Sequence, residues 1–441
     1  MNCNYKKNEN EDKCPDRILL AYSGGLDTSV SIKWLKEKYD AEILTFTADL
    51  GQEDFDPVAL KEKAYNTGAS KVIVADLKKK FVEEKVFAAL QIQARYEERY
   101  PLATALARPV IAEEMVKAAR KYDADALAHG CTGKGNDQVR FETAFAALAP
   151  DLEVIAPLRD WGFTTREEEL NYASEHGIPV EATEDSPYSI DENIWGISVE
   201  CGPLEDPWQE PPEDAYQWTV SPESAVEEPE EIVIEFKKGI PSALNGEEMD
   251  PVELIKKLNK LGGDHGIGRV DMVENRLVGI KSRELYEAPA AAILQEAHGE
   301  LSKLVLDRES LHFLQKIRSR YAELVYNGLW HSPLRQALQN FLASFQPQIS
   351  GAVRLKLHSG SMQVTGRKSD NSLYDLGLAS YDQKDSFDHS AAAGFIKLWS
   401  LPVQVVKQKE RGNGDAIKSE SLNKLSEMER EREPKSDLQV I

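Results

Sequence analysis

The sequence predicts an α/β protein in which a doubly wound parallel-sheet domain is followed by an α+β domain and a charged C-terminal extension. Short apolar runs alternate with longer amphipathic segments from Arg17 onward, which is the pattern of strand–helix–strand units. An acidic, proline-rich stretch at 204–230 interrupts this pattern, and charged residues dominate from Gln404. We therefore expect four parts, which are a polar extension at 1–16, a sheet domain at 17–175, an α+β domain at 176–403 and a tail at 404–441.

The first domain is predicted as five strands separated by helices. Short runs that are apolar throughout indicate strands buried on both faces of a parallel sheet. The strands are expected at Arg17–Tyr22, Glu42–Thr47, Lys71–Ala75, Ala126–His129 and Glu153–Ala156. Amphipathic periodicity predicts helices at Thr28–Tyr39, Pro57–Asn66, Phe81–Ala94, Ala107–Lys121 and Gln138–Leu148.

The second half mixes strand and helix patterns after a long loop. Prolines within 204–230 oppose both helices and central strands, so this stretch is expected to be a surface loop or linker. Strands are expected at Glu231–Phe236 and Val353–Leu357, with a hairpin turn at Ser359–Ser361, and helices at Pro251–Leu261 and Ala290–Tyr326. The tail, including Glu427–Glu433, is expected to be a solvated helix or disordered.

Composition and charge exclude several classes of function. The chain has 441 residues, more than one hydrophobic core usually supports, and 53 Lys and Arg against 75 Asp and Glu give a net charge of −22. Such a charge repels polyanions, so nucleic acid is a disfavoured partner. The sequence has neither a secretory signal nor an apolar run of about 18 residues, so we expect a cytoplasmic protein that does not contact a membrane. The four cysteines, which are Cys3, Cys14, Cys131 and Cys201, are widely scattered along the chain. This spacing predicts reduced thiols and no zinc site.

A polar, glycine-containing turn, Ser23-Gly24-Gly25-Leu26-Asp27-Thr28-Ser29, joins the first strand to the first helix. A helix N-terminus attracts anions, and adjacent glycines let the backbone approach a phosphate closely. The alternative is a plain turn with Asp27 or Thr28 as N-cap, but three hydroxyls and a carboxylate exceed what capping needs. The Walker spacing G-x-x-x-x-G-K-[ST] is absent, so the loop predicts ATP binding without γ-phosphate transfer.

A second polar segment, His129–Arg140, follows the fourth predicted strand. Asn136 and Arg140 are four residues apart and share one face if a helix begins there, so both can reach one ligand. Taken singly, the glycines of this segment are better explained as a flexible loop and Arg140 as a surface ion pair. The cluster as a whole favours a ligand site facing the first loop.

These two segments together resemble the argininosuccinate synthase family of ATP pyrophosphatases. The resemblance is carried by Ala21–Ser29 and by the run T-G-K-G-N-D-Q-V-R-F at 132–141. Further matching stretches are 107–109, 155–157, 176–179, 191–193, 265–269, 273–276, 281–283 and 330–333. The family resemblance implies an adenine nucleotide alpha hydrolase-like first domain and a second synthetase and multimerisation domain.

The resemblance implies a reaction and a set of site residues. Citrulline, aspartate and ATP are expected to give argininosuccinate, AMP and pyrophosphate through a citrullyl-adenylate in arginine biosynthesis, with Mg²⁺ offsetting the charge of the triphosphate and Asp27. ATP is expected at Ala21, Tyr22, Ser23, Gly24, Gly25, Leu26, Asp27, Thr28, Ser29, Ala48 and Gly130. Aspartate is expected at Thr132, Asn136 and Asp137, and citrulline at Tyr100, Thr104, Asn136, Arg140, Ser189, Ser198, Glu274 and Tyr286. Catalytic roles fall to Asp27, Asp137 and Arg140, and no residue is assigned as a metal ligand.

Several points limit what the resemblance implies. Ala105 stands where some family members have a serine that contacts citrulline, so Thr104 is expected to supply the hydroxyl alone. Individual residues have plainer explanations, such as a surface pair of Glu274 with Arg276. A homotetramer is the oligomer typical of the family, although the tail does not visibly repeat the helix that joins subunits in some members. The alternatives are a tRNA-thiolating relative, which the net charge disfavours, and a nucleotide-binding protein without turnover.

Overall fold

The structure is a computed structural model that describes residues 14–163, 165–179, 187–380 and 386–411, together with Lys424. The chain divides into two compact units, Met1–Leu373 and Tyr374–Ile441. The first unit contains one parallel sheet and two antiparallel sheets. The boundaries that we predict between the domains remain a prediction.

The parallel sheet contains five strands in the order β3-β2-β1-β4-β5. The strands are β1 (Arg17–Ala21), β2 (Glu42–Asp49), β3 (Lys71–Asp76), β4 (Ala126–His129) and β5 (Glu153–Ile155). The helices of this part are α1 (Leu26–Tyr39), α2 (Pro57–Thr67), α3 (Lys78–Phe81), α4 (Phe87–Leu90), α5 (Ala103–Lys121), α6 (Asp137–Leu148), α7 (Pro157–Asp160) and α8 (Arg166–Glu175). A π-helical turn, Val82–Val86, lies between α3 and α4.

Both faces of the parallel sheet are covered, as expected for a doubly wound fold. Along β1, Ile18 and Leu20 belong to one buried apolar cluster, and Leu19 belongs to another. This alternation follows from the period of two in a strand, which sends successive side chains to opposite faces. The predicted fold class and the five predicted strands of this domain are confirmed.

The remainder of the first unit is built on two antiparallel sheets. One has the order β11-β12-β7-β6 and the other β10-β9-β8-β13-β14. The strands are β6 (Ser189–Asn193), β7 (Gly196–Glu200), β8 (Glu230–Lys237), β9 (Ile240–Leu244), β10 (Glu247–Glu248), β11 (Arg269–Asn275), β12 (Lys281–Glu287), β13 (Gly351–His358) and β14 (Ser361–Lys368). The helices are α9 (Pro251–Asp264), α10 (Pro289–Val305), α11 (Arg308–Tyr326) and α12 (Pro333–Ala343).

The segment 204–230 contains only short 3₁₀ turns within Gly202–Glu205 and Glu213–Ala215 before β8 begins, so the predicted loop is confirmed. The hairpin between β13 and β14 is also confirmed. The prediction of one helical stretch over Ala290–Tyr326 is wrong, because α10 ends at Val305 and a separate helix, α11, begins at Arg308. Asp307 caps α11 there by accepting a hydrogen bond from the Ser310 N–H at 3.0 Å.

The second unit contains α13 (Leu376–Ala379), α14 (His389–Trp399) and a helix over 401–411. The helical part of the tail prediction is met at 401–411, and Glu427–Glu433 lies outside the described residues. None of the helices in the described part of the chain combines the length and apolar character needed to cross a membrane. Cys131 and Cys201 are free, whereas Cys14 is disulfide-bonded, so the prediction of reduced thiols is wrong for Cys14.

Candidate active site

The two predicted loops meet where the order of the parallel strands reverses. β1 and β4 are adjacent and parallel, and Ala21 pairs with His129, so both strands end at the same edge. The connection from β1 runs to β2 on one side, whereas β4 lies on the other side. Ligands of open α/β sheets bind in the crevice at such a switch point. This topology explains why segments more than a hundred residues apart can serve one site.

The contact between the loops is tight enough to require glycine. A Cβ atom built on Gly130 would lie 2.7 Å from Cγ2 of Thr28, closer than side chains normally approach. Gly130 begins the second loop, and Thr28 lies in the first turn of α1. The two loops therefore pack directly against each other.

The first loop leaves the N-terminus of α1 available to an anion. Gly24 has φ +84°, a left-handed conformation that favours glycine. The hydroxyls of Ser23 and Thr28 lie 3.1 Å apart, and the Ser23 hydroxyl also accepts from the Gly25 N–H at 3.3 Å. The N-cap residue is Gly25, which has no side chain that could cap α1. The turn, which we call the anion cradle, therefore suits an anion, because the first N–H groups of a helix have no partner within the helix.

Residues around the first loop hold it in position. Ser29 is fully buried, and its hydroxyl lies 3.3 Å from the Tyr22 hydroxyl. The Thr47 hydroxyl donates to the Tyr22 carbonyl at 2.7 Å, which ties the loop to β2. Ala48 is buried near the end of β2, beside the crevice edge of β1. The Lys63 ammonium donates to the Gly24 carbonyl at 2.6 Å and adds positive charge at the turn.

The second loop carries a carboxylate held between two arginines. Arg108 and Arg140 each donate to Asp137, with nitrogen–oxygen distances of 2.8 Å. Burial alone would raise the pKa of the Asp137 carboxyl, but the charges of the two guanidiniums outweigh it and lower the pKa. Asp137 is therefore ionised at neutral pH. Arg140 is buried, so the explanation of Arg140 as a surface ion pair is wrong.

A buried carboxylate faces this pair from the antiparallel sheet. Glu274, on β11, is 2% exposed and accepts hydrogen bonds from the hydroxyls of Tyr286, at 2.7 Å, and Tyr326. Burial raises the pKa of the Glu274 carboxyl, although the two hydroxyls that donate to it oppose the shift. Arg276 binds Glu200 and Glu284 instead, so the explanation of Glu274 as a surface pair with Arg276 is wrong.

Asn136 joins the second loop to the Glu274 cluster. Its side-chain amide donates to the Tyr326 hydroxyl at 2.8 Å, and its side-chain carbonyl accepts from the Leu277 N–H at 2.9 Å. The Arg140 guanidinium donates to the Tyr326 carbonyl at 2.9 Å. A continuous set of hydrogen bonds therefore runs from Glu274 through Tyr326 to the Asn136–Arg140 turn.

Aromatic rings and hydroxyls line the neighbouring space. The Tyr100 and Tyr286 rings are stacked with centroids 3.9 Å apart, and the Tyr100 hydroxyl accepts from the Thr104 N–H at 2.9 Å. The Thr104 hydroxyl is buried and has no hydrogen-bond partner among the described residues. Ser198 pairs with Tyr286 across β7 and β12, which brings it into the same group.

The predicted site residues are not all brought together. Ser189 lies at the exposed start of β6 opposite Glu200, and it makes no hydrogen bond to the Glu274 cluster within the described part of the chain. Thr132 is exposed on the second loop, and its carbonyl accepts from the Gly135 N–H at 3.2 Å. Both residues lie at the rim of the arrangement rather than within its hydrogen bonds.

Comparison with known proteins gives the same assignment along nearly the whole chain. The family model for the Arginosuccinate synthase N-terminal HUP domain matches residues 17–179, and the model for the Arginosuccinate synthase C-terminal domain matches residues 188–406. The chain belongs to the argininosuccinate synthase family. An argininosuccinate synthase from Chlorobium limicola is 56% identical over 397 residues, covering 90% of this chain and 99% of the relative. The argininosuccinate synthase from Aquifex aeolicus is 54% identical over 398 residues, with the same two coverages.

A solved structure shows a weak likeness to part of the chain. The U34-tRNA thiolase NcsA from Methanococcus maripaludis is 16% identical and covers 39% of this chain and 60% of its own length. Its TM-score of 0.26 is too low to support any argument about this argininosuccinate synthase family member.

Within this family framework, sequence reasoning missed three residues of the site. Arg108 donates to Asp191 as well as Asp137, and the charges of those carboxylates outweigh burial and raise the pKa of the guanidinium. Tyr326, at the end of α11, bridges Glu274 and Asn136. Arg108 and Asp191 each had a signal in the sequence, because they lie in the matching stretches 107–109 and 191–193. Tyr326 had none.

Two carboxylates at the first loop fit a magnesium ion. Within the described residues, no group of three or more His, Cys, Asp or Glu side chains is placed to hold a metal. Glu169, on α8, contacts Asp27, and burial followed by the charge of Asp27 raises the pKa of Glu169 to about 7. Mg²⁺ commonly binds one or two protein carboxylates together with substrate phosphates. The pair therefore suits a metal that the nucleotide brings with it.

Proposed function

We propose that the crevice between the two loops is where this chain joins citrulline to aspartate at the expense of ATP. The chain is an ATP-dependent carbon–nitrogen ligase of arginine biosynthesis that forms argininosuccinate and releases AMP and pyrophosphate. The observation that carries the proposal is the continuous hydrogen-bonded set from Glu274 through Tyr326 and Asn136 to Asp137 and Arg140. Asn136, Asp137 and Arg140 of this set belong to the segment that packs against the anion cradle.

ATP is assigned to the first loop. The free N–H groups at the start of α1 and the hydroxyls of Ser23 and Thr28 suit phosphate oxygens. Gly130 completes the cradle from the second loop, and Ala48 lies toward the adenosine. Magnesium ion, when bound, supplies positive charge that offsets the triphosphate, and Asp27 with Glu169 would hold it.

Citrulline is assigned to the Glu274 cluster. Its ammonium group suits the Glu274 carboxylate, and its carboxylate suits Arg140, because each charge of a zwitterion needs a buried partner of opposite sign. The stacked rings of Tyr100 and Tyr286 suit its methylene groups. The unpaired hydroxyl of Thr104 suits the ureido end, with Ser189 and Ser198 as further members.

Aspartate is assigned to Thr132, Asn136 and Asp137. Its ammonium group suits the Asp137 carboxylate, which is held ionised by two guanidiniums. A substrate carboxylate can share Arg108 with Asp137, because a guanidinium has five N–H donors. This arrangement brings the aspartate amine close to the residues assigned to citrulline.

The chemistry needs positioning and charge stabilisation rather than a protein nucleophile. The ureido oxygen of citrulline attacks the α-phosphorus, the bond between that phosphorus and the bridging oxygen to the β-phosphate breaks, and pyrophosphate leaves. The aspartate amine then attacks the ureido carbon, and AMP departs with the former ureido oxygen. In both steps the chain holds the departing negative charge at the cradle, while Arg140 holds citrulline in position through its carboxylate.

The oligomer and the compartment are also proposals. Phe395, Ile396, Leu398 and Trp399 on α14 are each at least 62% exposed, and a contiguous apolar surface of this size favours burial against other copies. We assign a homotetramer on this ground together with the family. The reaction consumes ATP, which favours the cytoplasm as its location.

Product analysis with the purified chain tests the proposal. AMP, pyrophosphate and argininosuccinate are expected only when citrulline, aspartate and ATP are all present. Arg140→Ala should abolish citrulline-dependent turnover, whereas Arg120→Ala should not, because Arg120 is exposed and, among the described residues, its one ion pair is with Asp151. Formation of ADP, or equal loss of turnover in both variants, would contradict the assignment.

A further inference from the structure

A second cavity lies outside the candidate active site, between the segment 91–98 and helices α10 and α11. It has a volume of about 460 Å³, within the range of small-molecule sites. Arg95 and Arg318 both contribute to its lining. We call this space the arginine cavity.

The two guanidiniums are held by neutral groups alone. Arg95 Nε donates to the side-chain carbonyl of Gln295, and Arg318 donates to the Ile92 carbonyl at 2.9 Å and to the side-chain carbonyl of Gln93. Their remaining N–H groups make no hydrogen bond to the part of the chain that the structure describes. Each guanidinium therefore keeps donors that face the cavity.

No carboxylate on the cavity wall contacts the two guanidiniums. Among the described residues, neither arginine forms an ion pair with a carboxylate, and Glu300 on the cavity wall is bound to Lys303 and Arg367. Burial lowers the pKa of both guanidiniums, and the charge of Arg95 lowers the pKa of Arg318 further; the charges of Glu296 and Glu98 on the same wall oppose these shifts without outweighing them. A partly buried guanidinium without a contacting carboxylate is stabilised when an anion joins it.

The segment that carries Arg95 also reaches the candidate active site. Tyr96, the next residue, stacks on Tyr326 with ring centroids 3.5 Å apart. Backbone strain is concentrated here, since Gln93, Glu97 and Leu102 have φ of 51°, 47° and 69°. Non-glycine residues adopt such angles only when surrounding contacts hold them, which is common at ligand sites. The segment 91–102 therefore connects the arginine cavity to Tyr326.

We propose that the arginine cavity binds a small oxyanion, carboxylate or phosphoryl, between Arg95 and Arg318, and that this anion sets the position of the segment 91–102. A guanidinium presents a planar fork of donors that matches either oxyanion. The binding site stands independently of the assigned reaction. An effect on citrulline binding, through Tyr96 and Tyr326, rests on the proposed function.

Hydrogen exchange resolved by peptide, with inorganic phosphate and succinate as separate probes, tests the site in the full chain. At least one probe should protect the amides of 91–95. The probe that binds more tightly shows whether the site prefers a phosphoryl or a carboxylate oxyanion. Arg95→Gln and Arg318→Gln should weaken this protection about tenfold or more, the usual effect of losing a charge-assisted hydrogen bond. Arg308→Gln is the matched control, because Arg308 lies on the same helix as Arg318 and, within the described part of the chain, forms an ion pair with Glu309 alone.

Equal protection in the wild type and both cavity variants would overturn the proposal, as would protection confined to 22–29. If a cavity variant fails to fold, wild-type crystals soaked in selenate give the answer: an anomalous peak between the guanidiniums supports the site, and its absence refutes it. The citrulline KM should respond to the bound probe in Arg308→Gln but not in Arg318→Gln. Protection at 91–95 without citrulline turnover would support the cavity while contradicting the proposed function.

Discussion

The contact between the two loops leads to a quantitative prediction for Gly130→Ala. The added Cβ would lie 2.7 Å from Cγ2 of Thr28, whereas carbon atoms normally pack at about 3.5–4.0 Å. Thr28 must move by roughly 1 Å, which disturbs its 3.1 Å contact with the Ser23 hydroxyl. Overpacking of this kind costs about 1–3 kcal/mol. If that strain falls on the nucleotide-bound state, kcat/KM for ATP should decrease about five- to 150-fold.

The assay is pyrophosphate release at varied ATP and saturating amino acids. Gly133→Ala is the control, because a Cβ there meets nothing within 4 Å although it lies on the same loop. This control should keep nearly the wild-type kcat/KM, and both variants should keep the wild-type melting temperature within a few degrees. If Gly130→Ala behaves like Gly133→Ala, the loops do not form one nucleotide site.

Three further predictions follow from buried polar groups. Tyr326→Phe removes a hydroxyl that donates to Glu274, so steady-state kinetics should give a citrulline KM about tenfold higher. An unchanged KM would show that the Glu274 cluster does not bind citrulline. Asp137→Asn should raise the aspartate KM while leaving nucleotide binding intact, and titration calorimetry with ATP checks the second half. Burial lowers the pKa of His298 to about 4 from its ordinary 6.5, so only the unfolded chain gains a proton between those values. The free energy of unfolding should therefore fall by ~3 kcal/mol as pH drops from about 6.5 to about 4, and His298→Gln should remove that part of the pH dependence in urea titrations.

The parallel-sheet domain could be predicted from the sequence because its signals are local. The apolar runs of β1 and β4 are buried on both faces, and the glycines between β1 and α1 mark the turn. The sheet containing β11 and β12 was not predicted, because several inward-facing positions carry carboxylates. Glu274, Glu284 and Glu287 are at most 5% exposed, yet their charge gives both strands the pattern of surface segments.

The candidate site could be predicted only as far as its loops. Asp137 and Arg140 lie in one motif, but Tyr326 lies 190 residues from Asn136 in the chain, and its role depends on how α11 packs. Arg108 lies in a stretch that matches the family, but the sequence does not show that it binds Asp137. Such partners are set by tertiary contacts, which single-chain periodicity does not encode.

The central claim is that the ureido oxygen of citrulline attacks the α-phosphorus of ATP in this crevice. Turnover with citrulline carrying oxygen-18 in the ureido group, followed by mass spectrometry of the products, tests it most directly. The account predicts that the label appears in AMP, because that oxygen leaves with the nucleotide when aspartate reacts. Unlabelled AMP, or label in pyrophosphate or free phosphate, would contradict the account.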